Sequence, residues 1–204
     1  TMATVDAFTE TYGPYGFRRE AIFPVYGLAE SSLAVTFPAP GSAIRQLFVD
    51  REELAEGRAR IVDAGARTAV SFVCVGRAVP GHVVRVVDDE GEDLVPGRVG
   101  HVIVQGDSVM QGYFRNPEAT TATIVEGWLR TGDLGFVHEG ELYVTGRAKD
   151  LVIVHGKNYY ADDIERFAER VEGARQGACV ALGIYDEKLE KDRIVVIAES
   201  KLES

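Results

Sequence analysis

Apolar and polar positions along the chain fall into short runs whose character changes twice. Residues 5–12 predict a helix, and "EAIFPVYG" reads as a buried strand. "FPAPGS" is a Pro/Gly turn cluster; the charged, Ala-rich residues 45–65 predict a strand followed by a helix, and "TAVSFVCVGRAV" another strand. The pattern then shortens to closely spaced β segments, "HVVRVVDDEGEDL", "GHVIVQG" and "WLRTGDLGFVHEGELYVTG". Between them, Asp-Asp-Glu-Gly, Pro-Gly and His-Glu-Gly are hairpin signals of the kind that build a meander or a small barrel. After "RAKD" the pattern changes again. A strand "LVIVHG", a Gly turn, an amphipathic helix over residues 162–172 and two strands, "ACVALGIYD" and "RIVVIAES", predict a separate small α/β unit. Those elements are too few to close a core of their own, and no internal repeat or low-complexity segment is present.

Composition narrows the function classes. The 204 residues are 46% hydrophobic and 26% charged, an ordinary globular balance with enough apolar material for a core. A net charge of -10 without any run of Lys or Arg argues against a nucleic-acid footprint or an anionic membrane surface. No apolar stretch approaches the roughly 18 residues of a membrane span, and the N-terminus is unlike a signal peptide. Its first 20 residues read as a helix entered mid-structure, as in a piece of something larger. Cys74 and Cys179 lie far apart in apolar runs and read as buried, reduced thiols of a cytoplasmic protein.

Several chemistries find no motif. GxxxxGK[ST], GxGxxG and GxSxG are absent, and His82, His101, His138 and His155 have no metal-ligand spacing. Three stretches remain. "VYGLAESS" ends on an aromatic ring, a glycine and the carboxylate of Glu30, which suits a flat ring and a cation, or equally an ordinary strand end with a solvated acid. "GWLRTGDLG" places Asp133 after Thr131-Gly132, a tight turn that presents one carboxylate; it suits a vicinal diol, or merely caps its own turn. "YVTGRAKDLVIVHGKN" sets Arg147 and Lys149 just beyond a glycine, with Gly156-Lys157 following. Cations beside a flexible turn suit a phosphate, or simply a solvated loop.

Taken in order, "YGLAE", "GDSVMQGYFRNPEATTATI", "GWLRTGDLG" and "GELYVTGRAKDLVIVHGKN" resemble the adenylate-forming superfamily of acyl-CoA synthetases, nonribosomal adenylation domains and luciferases, over residues 15–200. The resemblance implies an α/β fold with a β-barrel-like portion. Residues 1–146 would be the C-terminal part of the large domain, and residues 147–204 the hinge and a truncated small C-terminal domain. It implies ATP and Mg²⁺ as cofactors. Tyr26 and Gly27 would flank the adenine, Glu30 would help hold the magnesium and Asp133 would bind the ribose hydroxyls. Arg147 would reach the ribose and phosphate side, and Lys149 would be the hinge of domain rotation. Gly156 and Lys157 match the mobile loop after the hinge. Ala29 departs from the superfamily's usual Thr, so a hydroxyl contact to the acyl-phosphate would have to come from elsewhere, with Ser31 as the candidate.

"YGLAES", an insertion at about residues 45–74 and "KDLVIVHGKNYYADDIE" resemble the fatty-acyl-AMP ligases. That subfamily implies activation of a fatty acid to acyl-AMP and transfer to the phosphopantetheine of an acyl-carrier protein, for polyketide or lipid biosynthesis. The alternatives are a fatty acyl-CoA synthetase and a non-catalytic nucleotide-binding fragment. The superfamily's phosphate loop is expected before residue 1 and its C-terminal lysine after residue 204, a role Lys201 does not match, so the chain by itself is expected to be inactive. The apolar positions Leu47, Phe48, Leu54 and Ile61 are expected to dock the insertion on the large domain.

Overall fold

A computed structural model describes residues 2–154, 157–186 and 191–200. Helix α1 (Met2–Tyr12) is followed by irregular chain, where "EAIFPVYG" departs from expectation. Only Tyr26 there makes a β-bridge, to Thr36, and Phe23 and Val25 are exposed. Pro24 has no N–H to give a ladder, which keeps the segment from pairing as a strand.

The centre is an antiparallel sheet of β5 (His82–Val87), β6 (Gly100–Gly106), β7 (Ile124–Val125), β8 (Trp128–His138) and β9 (Glu141–Arg147). Strand β8 pairs with β6, β7 and β9, and the β8–β9 turn falls at Glu139-Gly140, both at positive φ. Adjacent residues of β9 feed opposite faces, as strand geometry requires. Leu142 joins Tyr26, Val35, Val86, Val102, Val104 and Leu129, whereas Tyr143 joins Val49, Leu54, Val70, Leu134, Phe136 and Tyr160.

Two further short strands, β1 (Thr36–Phe37) and β4 (Arg77–Ala78), pair beside the sheet. The 45–74 stretch forms hairpin β2 (Gln46–Asp50) and β3 (Ala69–Val73), with helix α2 (Arg51–Ala55) between them. Asp50 ties it together. Its Oδ1 accepts from the Glu52 and Glu53 amides, capping α2, and its Oδ2 accepts from Arg60 and Thr68. Leu54, Val49 and Leu47 then seat the hairpin against Phe136 and Tyr143. Ile61 does not share in this; it is exposed, and Phe48 alternates to the other side of β2. A buried Glu141 accepts from Arg45 and from the Cys74 thiol, pinning the base of the hairpin to β9. Both cysteines are buried and free, as expected.

After α3 (Pro117–Thr123), which Asn116 caps and Pro117 opens, the remaining elements follow the hairpin sheet. They are β10 (Leu151–Val154), β11 (Lys157–Tyr160), α4 (Ala161–Ala168), β12 (Ala174–Asp186) and β13 (Lys191–Ser200). Helix α4 is shorter than the expected span 162–172, and β11, two polar residues and two tyrosines, carries no apolar alternation to announce it. Val152, Ala161 and Ala181 make a small third core, while Tyr160 reaches into the first. No helix among the described residues is long and apolar enough to cross a membrane.

Candidate functional site

Three of the expected residues meet. The Tyr26 hydroxyl donates to Asp133 Oδ2 at 2.6 Å, across 107 positions of sequence, and Arg147 Nε lies 3.3 Å from Asp133 Oδ1. Strand pairing brings the last two together, since Asp133 of β8 faces Arg147 of β9 in register. Asp133 is not the uncovered turn residue expected from "RTGDLG". It lies within β8, beside an irregularity of register, and only 8% of it is exposed. Gly132 at φ +77° makes the local kink, and the Asp133 amide donates to Thr131 Oγ1. Among the described residues each carboxylate oxygen has one side-chain partner, which leaves lone pairs for a diol.

Tyr26 is embedded in the second core cluster, with its hydroxyl end at Asp133. Burial, and then the adjoining carboxylate, push its phenol well above the usual tyrosine range, so it stays a donor at neutral pH. Gly27 has a backbone reason of its own. A Cβ there would lie 1.5 Å from the Leu33 carbonyl oxygen, so no other residue permits this approach.

Glu30 sits in a single 3₁₀ turn, Ala29–Ser31, a few residues from Tyr26, and its contacts run to a different segment. The Tyr113 hydroxyl donates to Glu30 Oε1 at 2.8 Å, and Oε2 takes no hydrogen bond from the described residues. That bond, and then partial burial, push the Tyr113 phenol upward. Among the described residues no group of three or more His, Cys, Asp or Glu could hold a metal ion. Glu30 would offer a divalent cation one carboxylate oxygen and leave room for substrate phosphate and water, a set that suits Mg²⁺. Ser31 does not offer the hydroxyl that Ala29 lacks; it is fully buried and bonded to Ser108. Lys149 is exposed in a 3₁₀ turn, Ala148–Asp150, immediately after β9. Lys157 is exposed at the start of β11, and Gly156 lies outside the described residues. Tyr113, Ser108 and His82 had no signal of their own; the first two lie inside the quoted "GDSVMQGYFRNPEATTATI", with nothing local to say what they face.

The family model described as AMP-binding enzyme matches residues 2–114. A Caulobacter vibrioides protein named as an acyl-CoA synthetase is 39% identical over 98% of this chain and 35% of its own length. The 4-hydroxyphenylalkanoate adenylyltransferase of Mycobacterium tuberculosis is 40% identical over 97% of this chain and 33% of its own. The long-chain-fatty-acid–AMP ligase FadD26 of the same species is 38% identical over 98% and 36%. A solved structure from work on fatty acyl-adenylate ligases of E. coli and L. pneumophila superposes with a TM-score of 0.87 at 33% identity, over 99% of this chain and 36% of that one. The chain thus spans about a third of the length of the curated relatives it matches. The expected α/β fold with its curled sheet is that of adenylation domains. The chain belongs to the AMP-binding enzyme family.

Proposed function

We propose that the full-length protein containing this chain activates a fatty acid as acyl-AMP and hands the acyl group to the phosphopantetheine thiol of an acyl-carrier protein. The observation that carries the proposal is the Tyr26–Asp133–Arg147 contact, supported by a relative and a solved structure both named for acyl-AMP ligation. In the first step the fatty acid carboxylate oxygen attacks the α-phosphorus of ATP, and the bond to the leaving pyrophosphate breaks. Asp133 accepts hydrogen bonds from the ribose hydroxyls and is held in place by the Tyr26 hydroxyl, while the Tyr26 ring stays packed in the core below. Arg147 is exposed on one side and paired on the other, so it can swing its fork toward phosphate while Asp133 stays buried. Mg²⁺, which Oε2 of Glu30 suits, supplies charge neutralisation on the phosphates when bound. In the second step a thiol sulfur attacks the acyl carbonyl, AMP leaves, and the thiol proton passes to solvent.

We take residues 146–147 as the domain boundary and Lys149 as the hinge, a reading supported by the end of β9 at Arg147 and the 3₁₀ turn that connects it to the next strand pair. The insertion favours the carrier-protein branch. Its hairpin packs in one core with Tyr160 of the C-terminal segment, a contact suited to restraining the hinge. The name of the Caulobacter relative favours the second reading, a fatty acyl-CoA synthetase. Product analysis of the full-length protein with ATP, fatty acid and either CoA or a phosphopantetheinylated carrier separates the two. Acyl-carrier product with little acyl-CoA is expected; abundant acyl-CoA overturns the carrier assignment.

A further inference from the structure

Segment 106–113 closes over the turn that carries Glu30. The Met110 amide donates to the Glu30 carbonyl at 2.7 Å, and Ser32 Oγ donates to the Ser108 carbonyl at 3.2 Å. Tyr113 holds one oxygen of the Glu30 carboxylate. Between these contacts lies a half-buried polar chain that ends on the buried Ser31. His82 Nε2 stands 2.6 Å from Ser108 Oγ, which is 2.8 Å from Ser31 Oγ and 2.9 Å from the Ser31 carbonyl oxygen. The turn needs such restraint, because Ser32 (φ 49°) and Leu33 (φ 99°) both occupy the left-handed region that residues with a Cβ seldom adopt. Glycine at 106 makes room for the His82 ring; a Cβ there would lie 2.3 Å from its Cδ2.

Counting protons fixes the direction of the chain. Ser108 Oγ has one proton, and the Ser31 carbonyl can only accept, so the proton goes there. The other two contacts of Ser108 Oγ are then donations to it, one from Ser31 Oγ–H and one from His82 Nε2–H; the competing contact of His82 Nδ1 with the Pro80 carbonyl is 3.4 Å against 2.6 Å, so the ring proton is assigned to Nε2. Donation therefore runs from the imidazole, through Ser108, into the backbone one residue beyond Glu30.

We propose that His82, Ser108 and Tyr113 are positioning residues that hold the Glu30 turn ready for a divalent cation, with His82 acting through Ser108 by donating from Nε2. This rests on the proposed metal role of Glu30. A carboxylate fixed in advance loses less freedom on binding, and a turn released from its clamp must be ordered again each time.

The test uses full-length protein with a nonhydrolysable ATP analogue, Mn²⁺ binding read by EPR, and hydrogen–deuterium exchange of residues 28–33 and 108–113 without metal. His82→Ala is expected to weaken Mn²⁺ about three- to tenfold, the scale of one lost hydrogen bond, and to speed exchange in both segments. His82→Gln, whose amide nitrogen can take the place of Nε2 as donor, is expected to stay close to wild type in both. Tyr113→Phe is expected to weaken Mn²⁺ while leaving exchange at residues 108–110 unchanged. Wild-type Mn²⁺ affinity and exchange in His82→Ala overturn the proposal; so does equal loss in Ala and Gln, which means packing rather than donation. If the wild type binds no Mn²⁺, the metal role of Glu30 fails and its positioning with it, while the exchange comparison still decides whether His82 holds the turn.

Discussion

Replacing Tyr26 with Phe removes one oxygen from the centre of the candidate site and leaves the ring packed where it is. The lost bond is 2.6 Å long, and its acceptor is the carboxylate of a residue only 8% exposed. Among the described residues Asp133 then keeps a single side-chain partner, Arg147 Nε at 3.3 Å, whose side chain is 56% exposed. A hydrogen bond to a charged group contributes about 1.5–3 kcal/mol. At about 1.4 kcal/mol per tenfold, that is roughly one to two orders of magnitude in an equilibrium constant. If Tyr26 serves the nucleotide by holding Asp133, ATP affinity in the full-length protein should fall by about tenfold or more. Asp133→Ala alone should weaken ATP by roughly one to two orders of magnitude. Adding Tyr26→Phe to Asp133→Ala should then change affinity by less than about threefold, because the hydroxyl has already lost its acceptor. Calorimetric titration of ATP into the four proteins completes the cycle. An undiminished Tyr26→Phe penalty in the Asp133→Ala background would refute the reasoning, since Tyr26 would then act by its own contact or by packing.

Lys149→Pro fixes φ near -65° at the proposed hinge, so acyl-AMP formation and thioester formation should be affected unequally, and equal loss of both in single-turnover assays would contradict a hinge there. Leu54, 2% exposed between the hairpin and the sheet, anchors the insertion. Leu54→Ala should cost about 2–5 kcal/mol of that packing, leave acyl-AMP formation largely intact and raise acyl-CoA from near zero, and an unchanged product ratio would count against the restraint. The Asp50 carboxyl is held below the usual range by the Glu53 amide first, then by Thr68, Arg60 and the Glu52 amide. Its stabilisation is therefore complete above the ordinary carboxyl value of about 3.9 and lost as pH falls through the lower folded value. The gap in unfolding midpoint between wild type and Asp50→Asn should be full at neutral pH and shrink in acid; a gap independent of pH would contradict the ion pair with Arg60.

Local chemistry made much of the fold legible. The β8–β9 hairpin was readable because His138-Glu139-Gly140 separates two alternating runs, and the turn forms where those residues permit positive φ. In the insertion the strand, helix and strand were readable but not their pairing as a hairpin, and the hydrophobicity of Ile61 and Phe48 says nothing about which way a strand or loop faces. "EAIFPVYG" misled because its apolar side chains outweigh Pro24 in a pattern and not in a ladder. The site was half legible. Glycines and charges marked the segments, but the Tyr26–Asp133 bond joins residues 107 apart, a meeting that no spacing encodes. Ser31 faced inward rather than outward because Ser108, from a strand end far along the chain, gives it a buried partner.

Acyl adenylation itself is tested most directly by incubating the full-length protein with ATP, Mg²⁺ and fatty acids of graded length, without CoA or carrier, and measuring pyrophosphate release together with acyl-AMP by mass spectrometry. The predicted result is fatty-acid-dependent pyrophosphate matched one for one by acyl-AMP, and loss of both in Asp133→Ala at limiting ATP. Pyrophosphate release that ignores the acid, or no acyl-AMP with any acid while ATP still binds, would contradict it.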